Sequence, residues 1–293
     1  MRRSVYLMLL PILVYYIIFC YIPMYGAQIA FRDFTSVKQS IVDAPWLGMK
    51  NFRDFFTNVY AFRLIRNTFL INVLGLIYGF PAPIILALLL NELRSDRFKK
   101  LVQTVSYLPH FISIVVICGM IKDFTSTNGV ITTSLSFLSG RTLNNLLIDK
   151  DNYRAIYIIS DIWQGIGWGS IIYIAALSGI DSELYEAASI DGAGRLRQTI
   201  HVTIPGIMPT IIIMLILRIG SMMSLGYEKT LLLYNEGIYE TADIISTYVY
   251  RAGLLGNKKG LASAVDLTNS AINLVLLFGA NSLSRKVSGS SLW

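Results

Sequence analysis

Residues 186–205, EAASIDGAGRLRQTIHVTIP, form a polar stretch between two long apolar runs, and the rest of the chain is organised around them. Asp181 or Ser182 can cap a short helix at the start of this stretch, because a side-chain oxygen there accepts a hydrogen bond from a free N–H group of the first turn. Gly192 predicts the end of the helix, since glycine adopts a left-handed backbone conformation without steric cost. Pro205 then predicts the start of the next apolar helix.

The composition is that of a membrane protein. Of the 293 residues, 54% are hydrophobic and only 15% are charged, and the mean hydropathy is +0.56. A chain this apolar is not typical of a soluble domain. The net charge of +7 fits basic residues that flank membrane spans better than it fits nucleic-acid binding. Cys20 and Cys118 both lie in apolar runs, so we expect two buried thiols and neither a disulfide nor a metal site.

Six apolar segments are long enough to cross a bilayer, for which a helix needs about 20 residues. We therefore predict an all-α protein with one membrane domain over residues 1–293 and a cytoplasmic loop at residues 180–206. The predicted spans lie at about residues 5–30, 67–90, 101–121, 154–179, 207–232 and 263–283.

Lysine and arginine residues near the span ends indicate the orientation. Arg2 and Arg3 favour a cytoplasmic N-terminus. Counting six spans from there places residues 91–100, the loop at 180–206 and the C-terminus on the same side. The first outer loop is basic as well, so the charge bias alone does not decide the orientation.

The polar stretch resembles the EAA loop of binding-protein-dependent ABC importer permeases. That family's pattern is EAA, three residues, Gly, nine residues, Ile, one residue and Leu-Pro, and the spacing in this chain fits it throughout. The extension Asp191-Gly192-Ala193 is similar to the sugar-importer branch. The residues that carry the match are Glu186, Ala187, Ala188, Gly192 and Pro205, with Val202 in place of isoleucine and Ile204 in place of leucine.

Two further segments narrow the resemblance. SYLPHFIS at residues 106–113 and STYVYRAGL at residues 246–254 look like permeases for oligosaccharides and polysaccharides of the lipo-oligosaccharide type. The resemblance implies a type I importer permease fold in the cell membrane, with no enzymatic activity and no cofactor of its own. It also implies a second homologous permease, two ATPase subunits, and an extracellular binding protein that delivers an oligosaccharide. The residues expected to couple this chain to its ATPase are Glu186, Ala187, Ala188, Asp191, Gly192, Ala193 and Pro205.

The sequence contains no recognisable ATP site or catalytic constellation. Residues 253–260 are rich in glycine and lysine, but they lack the G-x-x-x-x-G-K-[ST] spacing of a phosphate-binding loop. The two histidines, His110 and His201, lie in a predicted span and in the predicted cytoplasmic loop. We therefore expect a separate ATPase to supply the energy for transport.

The fourth predicted span carries a polar face that is a candidate substrate pathway. Tyr157, Asp161, Gln164 and Trp168 follow the spacing i, i+4, i+7 and i+11, which places them on one side of an α-helix. Aromatic rings stack on sugar rings, while carboxylate and amide groups pair with hydroxyls. A charge at membrane depth costs about 2.5–3.5 kcal/mol on insertion scales, so Asp161 should face a cavity or a partner. The alternative is that the four residues only pack and hydrogen-bond between helices.

The fifth predicted span adds Arg218 and Ser221 on one face. Arg218 lies deep enough to require a carboxylate, a carbonyl or water. Its candidate partners are Asp161, a carboxylate of the partner subunit, and an acidic sugar such as a uronate. Asn269 and Asn273, one turn apart in the sixth span, are expected to hydrogen-bond between helices.

Three other functions are compatible with this pattern. An ion-coupled secondary transporter favours inverted repeats and acidic groups at mid-membrane; no repeat is clear in the sequence, and Asp161 alone fits the second criterion. A membrane receptor or scaffold would use the polar faces for packing only. An importer of the same family for a non-sugar solute would share the EAA loop.

Overall fold

The computed structural model describes residues 2–35, 40–288 and 291–292, and the regular structure of this part is helical apart from one β-bridge between Arg32 and Trp46. The predicted all-α fold is confirmed. The α-helices are α1 (Arg2–Tyr16), α2 (Ile22–Met24), α3 (Lys50–Phe56), α4 (Ala61–Leu74), α5 (Pro81–Asn91), α6 (Asp96–Tyr107), α7 (Ile114–Thr125), α8 (Val130–Ser139), α9 (Lys150–Leu177), α10 (Ser182–Ile190), α11 (Arg195–Gln198), α12 (Ile204–Gly220), α13 (Tyr227–Leu233), α14 (Tyr239–Ala242), α15 (Ile245–Val249) and α16 (Lys259–Ser288).

Tighter and wider helical turns continue several of these helices. π-helical turns lie at Ile17–Tyr21, Gly75–Gly79, Thr199–Thr203 and Tyr250–Leu255, and 3-10 turns lie at Tyr25–Phe31, Leu108–Phe111 and Glu236–Ile238.

Long helices follow one another along the chain as expected for a membrane protein. Five helical stretches are long and apolar enough to cross a bilayer. A sixth long helix, α9, has 28 residues, and polar side chains such as Asp161 and Gln164 lower its hydropathy. The predicted architecture of six long helices is therefore confirmed. The five apolar stretches are Tyr6–Phe31, Ala61–Asn91, Ile114–Ser139, Arg195–Gly220 and Lys259–Lys286.

The third predicted span (residues 101–121) is interrupted in the structure. α6 ends before the 3-10 turn at Leu108–Phe111, in which Pro109 removes a backbone donor. Ser113 is extended and caps α7, because its Oγ accepts the N–H group of Val116 at 3.4 Å. A proline and a capping serine thus divide a run that looks continuous in the sequence.

The fifth predicted span (residues 207–232) ends early. α12 stops at Gly220 and a turn follows before α13. Asn273 of α16 holds this turn, since its Oδ1 accepts the N–H group of Met223 at 2.7 Å and its Nδ2 donates to Ser224 Oγ at 2.7 Å. Asn273 was predicted to hydrogen-bond between helices; in the structure it bonds instead to the turn that follows α12.

The two cysteines differ in their surroundings. Cys118 is buried in the core, as predicted, whereas Cys20 is exposed. The prediction of burial is wrong for Cys20 because the described part of the chain buries none of the most apolar window of Tyr6–Phe31.

The chain forms two compact units, one of residues up to Leu64 with Ile245–Ala271 and one of Ile65–Ile244 with the residues from Ile272 onward. In the first unit, Asn51 Nδ2 donates to the carbonyl oxygens of Ala30 at 2.9 Å and Arg32 at 3.1 Å. The Arg32 guanidinium in turn donates to the carbonyl oxygens of Val42 at 2.7 Å and Ala44 at 2.8 Å. Side chains therefore hold this predicted outer loop in a defined conformation.

Asn67 is a fully buried junction in the second unit. Its Nδ2 donates to the carbonyl oxygens of Glu240 and Asp243, both at 2.9 Å, and its Oδ1 accepts from the Arg154 guanidinium at 3.0 Å. One amide thus joins α4, α9, α14 and the residue that follows α14. The apolar core of this unit is formed by residues that include Ile71, Ile117, Tyr153, Ile158, Leu233, Ile238 and Ile244.

Candidate functional site

Helix α10, which contains the EAA residues, has well-defined ends. Asp181 caps its N-terminus by accepting the N–H group of Glu183 at 3.0 Å. At the other end Gly192 has a φ of 73°, and the N–H group of Ala193 bonds to the carbonyl oxygen of Ala188 at 2.9 Å. This bond and the left-handed glycine are those of a Schellman ending. The predicted cap and the predicted break at Gly192 are confirmed.

Two side-chain contacts attach α10 to the helical stretch Arg195–Gly220. Gln198 Nε2 donates to Ser189 Oγ at 2.9 Å and to the carbonyl oxygen of Ala193 at 3.0 Å. The hydroxyls of Tyr185 and Thr203 lie 3.0 Å apart. Sequence reasoning missed these contacts, because each joins polar residues that are ordinary in a cytoplasmic loop.

The exposed face of α10 and of its neighbour α11 carries large apolar side chains, although this segment of the sequence is mostly polar. Glu186 and Ala187 are exposed, and three large side chains beside them project outward: Leu184 is 54% exposed, Ile190 87% and Leu196 74%. Exposed apolar groups next to small residues are typical of a protein-docking surface. Pro205 lies in the first turn of α12, as predicted from its fixed φ.

A cavity in the second unit brings together three of the predicted pathway residues. Asp161, Arg218 and Ser221 line a space of about 360 Å³ between α5, α9 and α12. A second cavity of about 20 Å³ beside it is lined by Asn72, Tyr157, Asp161 and Arg218, among others. The first cavity is otherwise lined by Gly79, Phe80, Pro83, Ile162, Gly165, Ile166, Gly169, Tyr173, Met214 and Leu217.

Lys229, which was not among the predicted site residues, is the ion-pair partner of Asp161. Its side chain is only 6% exposed, and its Nζ lies 3.4 Å from Asp161 Oδ1. The same Nζ donates to the carbonyl oxygen of Tyr157 at 3.0 Å and lies 4.4 Å from the centroid of the Tyr157 ring. Asp161 therefore pairs with Lys229 and not with Arg218. The signal in the sequence was a lone lysine inside a predicted span, which needs a partner as much as Asp161 does.

The remaining residues of the predicted polar face lie in different surroundings from one another. Tyr157 is 6% exposed and packs in the core, whereas Trp168 is 48% exposed. The Trp168 ring stacks on His110, with centroids 4.5 Å apart and planes 2° apart, and meets Phe111 edge-on at 5.7 Å. Gln164 is half-buried and lies outside the cavity lining. The structure thus brings Asp161 together with Arg218 and Ser221, and separates them from Gln164 and Trp168.

No group of three or more metal-ligating side chains occurs among the described residues. The polar groups of the cavity are suited to hydrogen bonding and charge pairing with a solute.

Comparisons with known proteins all find membrane components of transport systems or their relatives. Residues 79–289 match the family of binding-protein-dependent transport system inner membrane components. The chain is 43% identical to protein LplB of Bacillus subtilis (strain 168) over 285 residues, which cover 97% of this chain and 89% of LplB. It is 41% identical to the polygalacturonan/rhamnogalacturonan transport system permease protein YteP of the same organism over 285 residues, or 97% of this chain and 88% of YteP.

A solved structure is similar over almost the full length. It is the crystal structure of a bacterial ABC transporter involved in the import of the acidic polysaccharide alginate. The TM-score is 0.88 with 41% sequence identity, and the match covers 97% of this chain and 96% of that chain. The helical architecture is therefore one that is already known from experiment.

Proposed function

The chain belongs to the family of binding-protein-dependent transport system inner membrane components, and on that premise we propose that it is a permease subunit of an ATP-driven ABC importer that takes up oligosaccharides. The chain would supply the path through the membrane and carry out no chemistry itself. Names of relatives support the substrate class, since YteP is a polygalacturonan/rhamnogalacturonan permease and the similar solved structure imports alginate.

One observation carries this proposal: a single helical stretch connects the exposed EAA surface to the polar cavity. Gln198 and Thr203, near the start of Arg195–Gly220, bond to Ser189 and Tyr185 of α10, and Arg218, near its end, lines the cavity. At a rise of about 1.5 Å per residue these ends lie on the order of 30 Å apart, which is the thickness of a bilayer core. A push on α10 would therefore move a helix that borders the solute.

The proposed mechanism follows from this connection. ATP binding closes a pair of ATPase subunits that grip α10 of this chain and its counterpart in a second permease. The membrane helices attached to α10 and to its counterpart then shift, and the path changes from inward to outward access. The contact with the ATPase would be formed by Glu186, Ala187, Ala188, Gly192 and the apolar side chains around them. The N-terminus, α10 and the C-terminus would lie in the cytoplasm.

The second permease and the extracellular binding protein are further parts of the proposal. Tyr6–Phe31 is apolar, and its most apolar window is unburied in the described chain, so lipid or a second permease would cover it. A binding protein would dock at the opposite face and release an oligosaccharide into the path.

Reconstitution tests the proposal. The complex is purified through a tag on this chain, placed in vesicles with its binding protein, and given short oligomers of galacturonate as the probe. We expect uptake that requires ATP and the binding protein and that ionophores leave unchanged. Uptake driven by an ion gradient without ATP would instead identify a secondary transporter. Purification without any ATPase, or no uptake of the probe, would also contradict the proposal.

A further inference from the structure

The charges around the cavity are unequal. Asp161 is the acidic residue of its lining, and Lys229 already neutralises it at 3.4 Å. Arg218 lines the same cavity, and the ion pairs found among the described residues leave it without a carboxylate partner. The wall of the cavity therefore keeps a net positive charge, located on Arg218.

The surroundings of Arg218 make room for its guanidinium group. Gly75, in the π-helical turn Gly75–Gly79, lies beside it, and a Cβ built on Gly75 would lie 3.4 Å from an Arg218 terminal nitrogen. Any larger side chain at that position would compete with the guanidinium for space. Arg218 is thus held at the meeting point of α9, α12 and the π turn, where both cavities touch it.

A guanidinium group in this setting favours a carboxylate as its partner. Arg218 is exposed in the described chain, so its guanidinium is open to a solute, and the planar fork of arginine binds a carboxylate through two parallel hydrogen bonds. Neutral sugar hydroxyls offer weaker bonds and no charge. We propose that Arg218 binds the carboxylate groups of acidic oligosaccharides as they pass, and that it makes the permease selective for them over neutral oligosaccharides.

Lys229 acts in this scheme as a positioning residue. By holding Asp161, it keeps that carboxylate from competing with the substrate for Arg218. Without Lys229, Asp161 would be the nearest anion available to Arg218 at the cavity. The scheme rests on the proposed function, because it assigns the substrate of the same path.

The test compares two substrates that differ in charge alone. The reconstituted complex is given a galacturonate oligomer and the same oligomer with its carboxyl groups reduced to alcohols. Arg218→Gln is expected to lower uptake of the acidic oligomer about tenfold and to leave uptake of the reduced oligomer unchanged. Arg218→Lys, which keeps the charge but not the fork, should lose less. Arg141→Gln, an exposed arginine far along the chain from both cavities, is the matched control.

The Lys229 variants give a second readout. Lys229→Met is expected to reduce uptake of the acidic oligomer, and the double variant with Asp161→Asn to restore it, because the competing carboxylate is then gone. If Lys229 had a merely structural role, Lys229→Met would lower uptake of the acidic and the reduced oligomer equally.

The outcomes separate this inference from the proposed function. If the wild-type complex imports the acidic oligomer but Arg218→Gln has no effect, the inference is wrong and the proposed function stands. An equal loss for both oligomers would also overturn it, since Arg218 would then pair with the partner permease or support the fold. Failure of the wild-type complex to import either oligomer with ATP would overturn both.

Discussion

The backbone of Gly167 in α9 lies directly against the backbone of Ser106 in α6, so that a Cβ built on Gly167 would overlap the Ser106 carbonyl group. The two helices cross here with no space for a side chain. Because the obstacle is backbone, it cannot rotate away as a flexible side chain would.

Gly167→Ala is therefore expected to destabilise the permease by about 1–3 kcal/mol, the usual cost of overpacking. Thermal unfolding of the purified complex in detergent measures this. Gly165→Ala is the matched control, because nothing lies within 4 Å of a Cβ at that position. An equal fall in melting temperature for the two variants would show that the close crossing does not matter.

Gly192 should be essential for coupling and not for insertion into the membrane. Its φ of 73° costs a residue with a side chain about 1–2 kcal/mol, and Gly192→Val would strain the junction between α10 and α11. We expect ATP hydrolysis to continue while uptake per ATP falls. Gly194→Ala is the control, since Gly194 has a φ of −69° and open space around it. Normal uptake by Gly192→Val would remove the coupling role.

Asn67 is expected to be a site of large destabilisation. Asn67→Leu would remove the bonds that Asn67 makes to the carbonyl oxygens of Glu240 and Asp243 and to the Arg154 guanidinium. Arg66 still donates to the Glu240 oxygen at 2.8 Å, and each buried group left unsatisfied costs about 1–3 kcal/mol. Lower yield and a lower melting temperature should follow. Asn91→Leu, at an exposed asparagine near the end of α5, makes the same chemical change and should have little effect. Similar losses in both would point to the added leucine and not to the lost bonds.

Trp168 is expected to act as an aromatic platform apart from the Arg218 cavity. Its ring is 48% exposed although His110 stacks on it. Trp168→Ala should lower oligosaccharide uptake several-fold while basal ATP hydrolysis and protein level stay near normal. Trp168→Phe, which keeps an aromatic surface, should retain more uptake. Loss of expression would favour a packing role, because truncating a buried aromatic costs about 3–5 kcal/mol.

The ion pair between Lys150 and Glu240, 2.7 Å apart, should give a pH-dependent contribution to stability. The hydrogen bond and charge of Lys150 lower the pKa of Glu240, and those of Glu240 raise the pKa of Lys150. A lowered carboxyl pKa stabilises the fold above the unfolded value of about 4.3, and this is lost as the pH falls through the folded pKa.

Glu240→Gln is therefore expected to melt slightly below the wild type at neutral pH, with the difference vanishing in acid and in high salt. Melting temperatures over a pH series measure this. A difference that persists at low pH would mean that the carboxylate charge is not its cause. Both side chains are exposed, so the effect should be small.

Local chemistry explains which features were predictable from the sequence. The cap at Asp181 and the ending at Gly192 depend on neighbouring residues alone, so the EAA helix was predicted with its bounds. The division of the third span at Ser113 was missed because apolar residues continue through it. A capping serine is easily overlooked inside such a run.

The pathway residues were harder to predict, because a helical wheel gives the angle of a side chain but not what covers it. Tyr157 and Trp168 share a side of α9, yet the core buries one and His110 covers the other. The pairing of Asp161 depends on Lys229, which lies 68 residues away in the chain. Such a pair is set by the packing of α13 against the bundle and has no local signal.

The π-helical turn Thr199–Thr203 sets the rotation about the helix axis that separates the side chains of Gln198 and Arg218. Such a turn holds one residue more than a regular turn, and each residue of an α-helix corresponds to about 100° of rotation. Removing one residue between Gln198 and Arg218 would therefore swing the guanidinium around the helix axis and away from the cavity. An insertion or deletion in this segment would therefore keep both Gln198 and Arg218 in place only if it added or removed whole turns, or if both ends moved together.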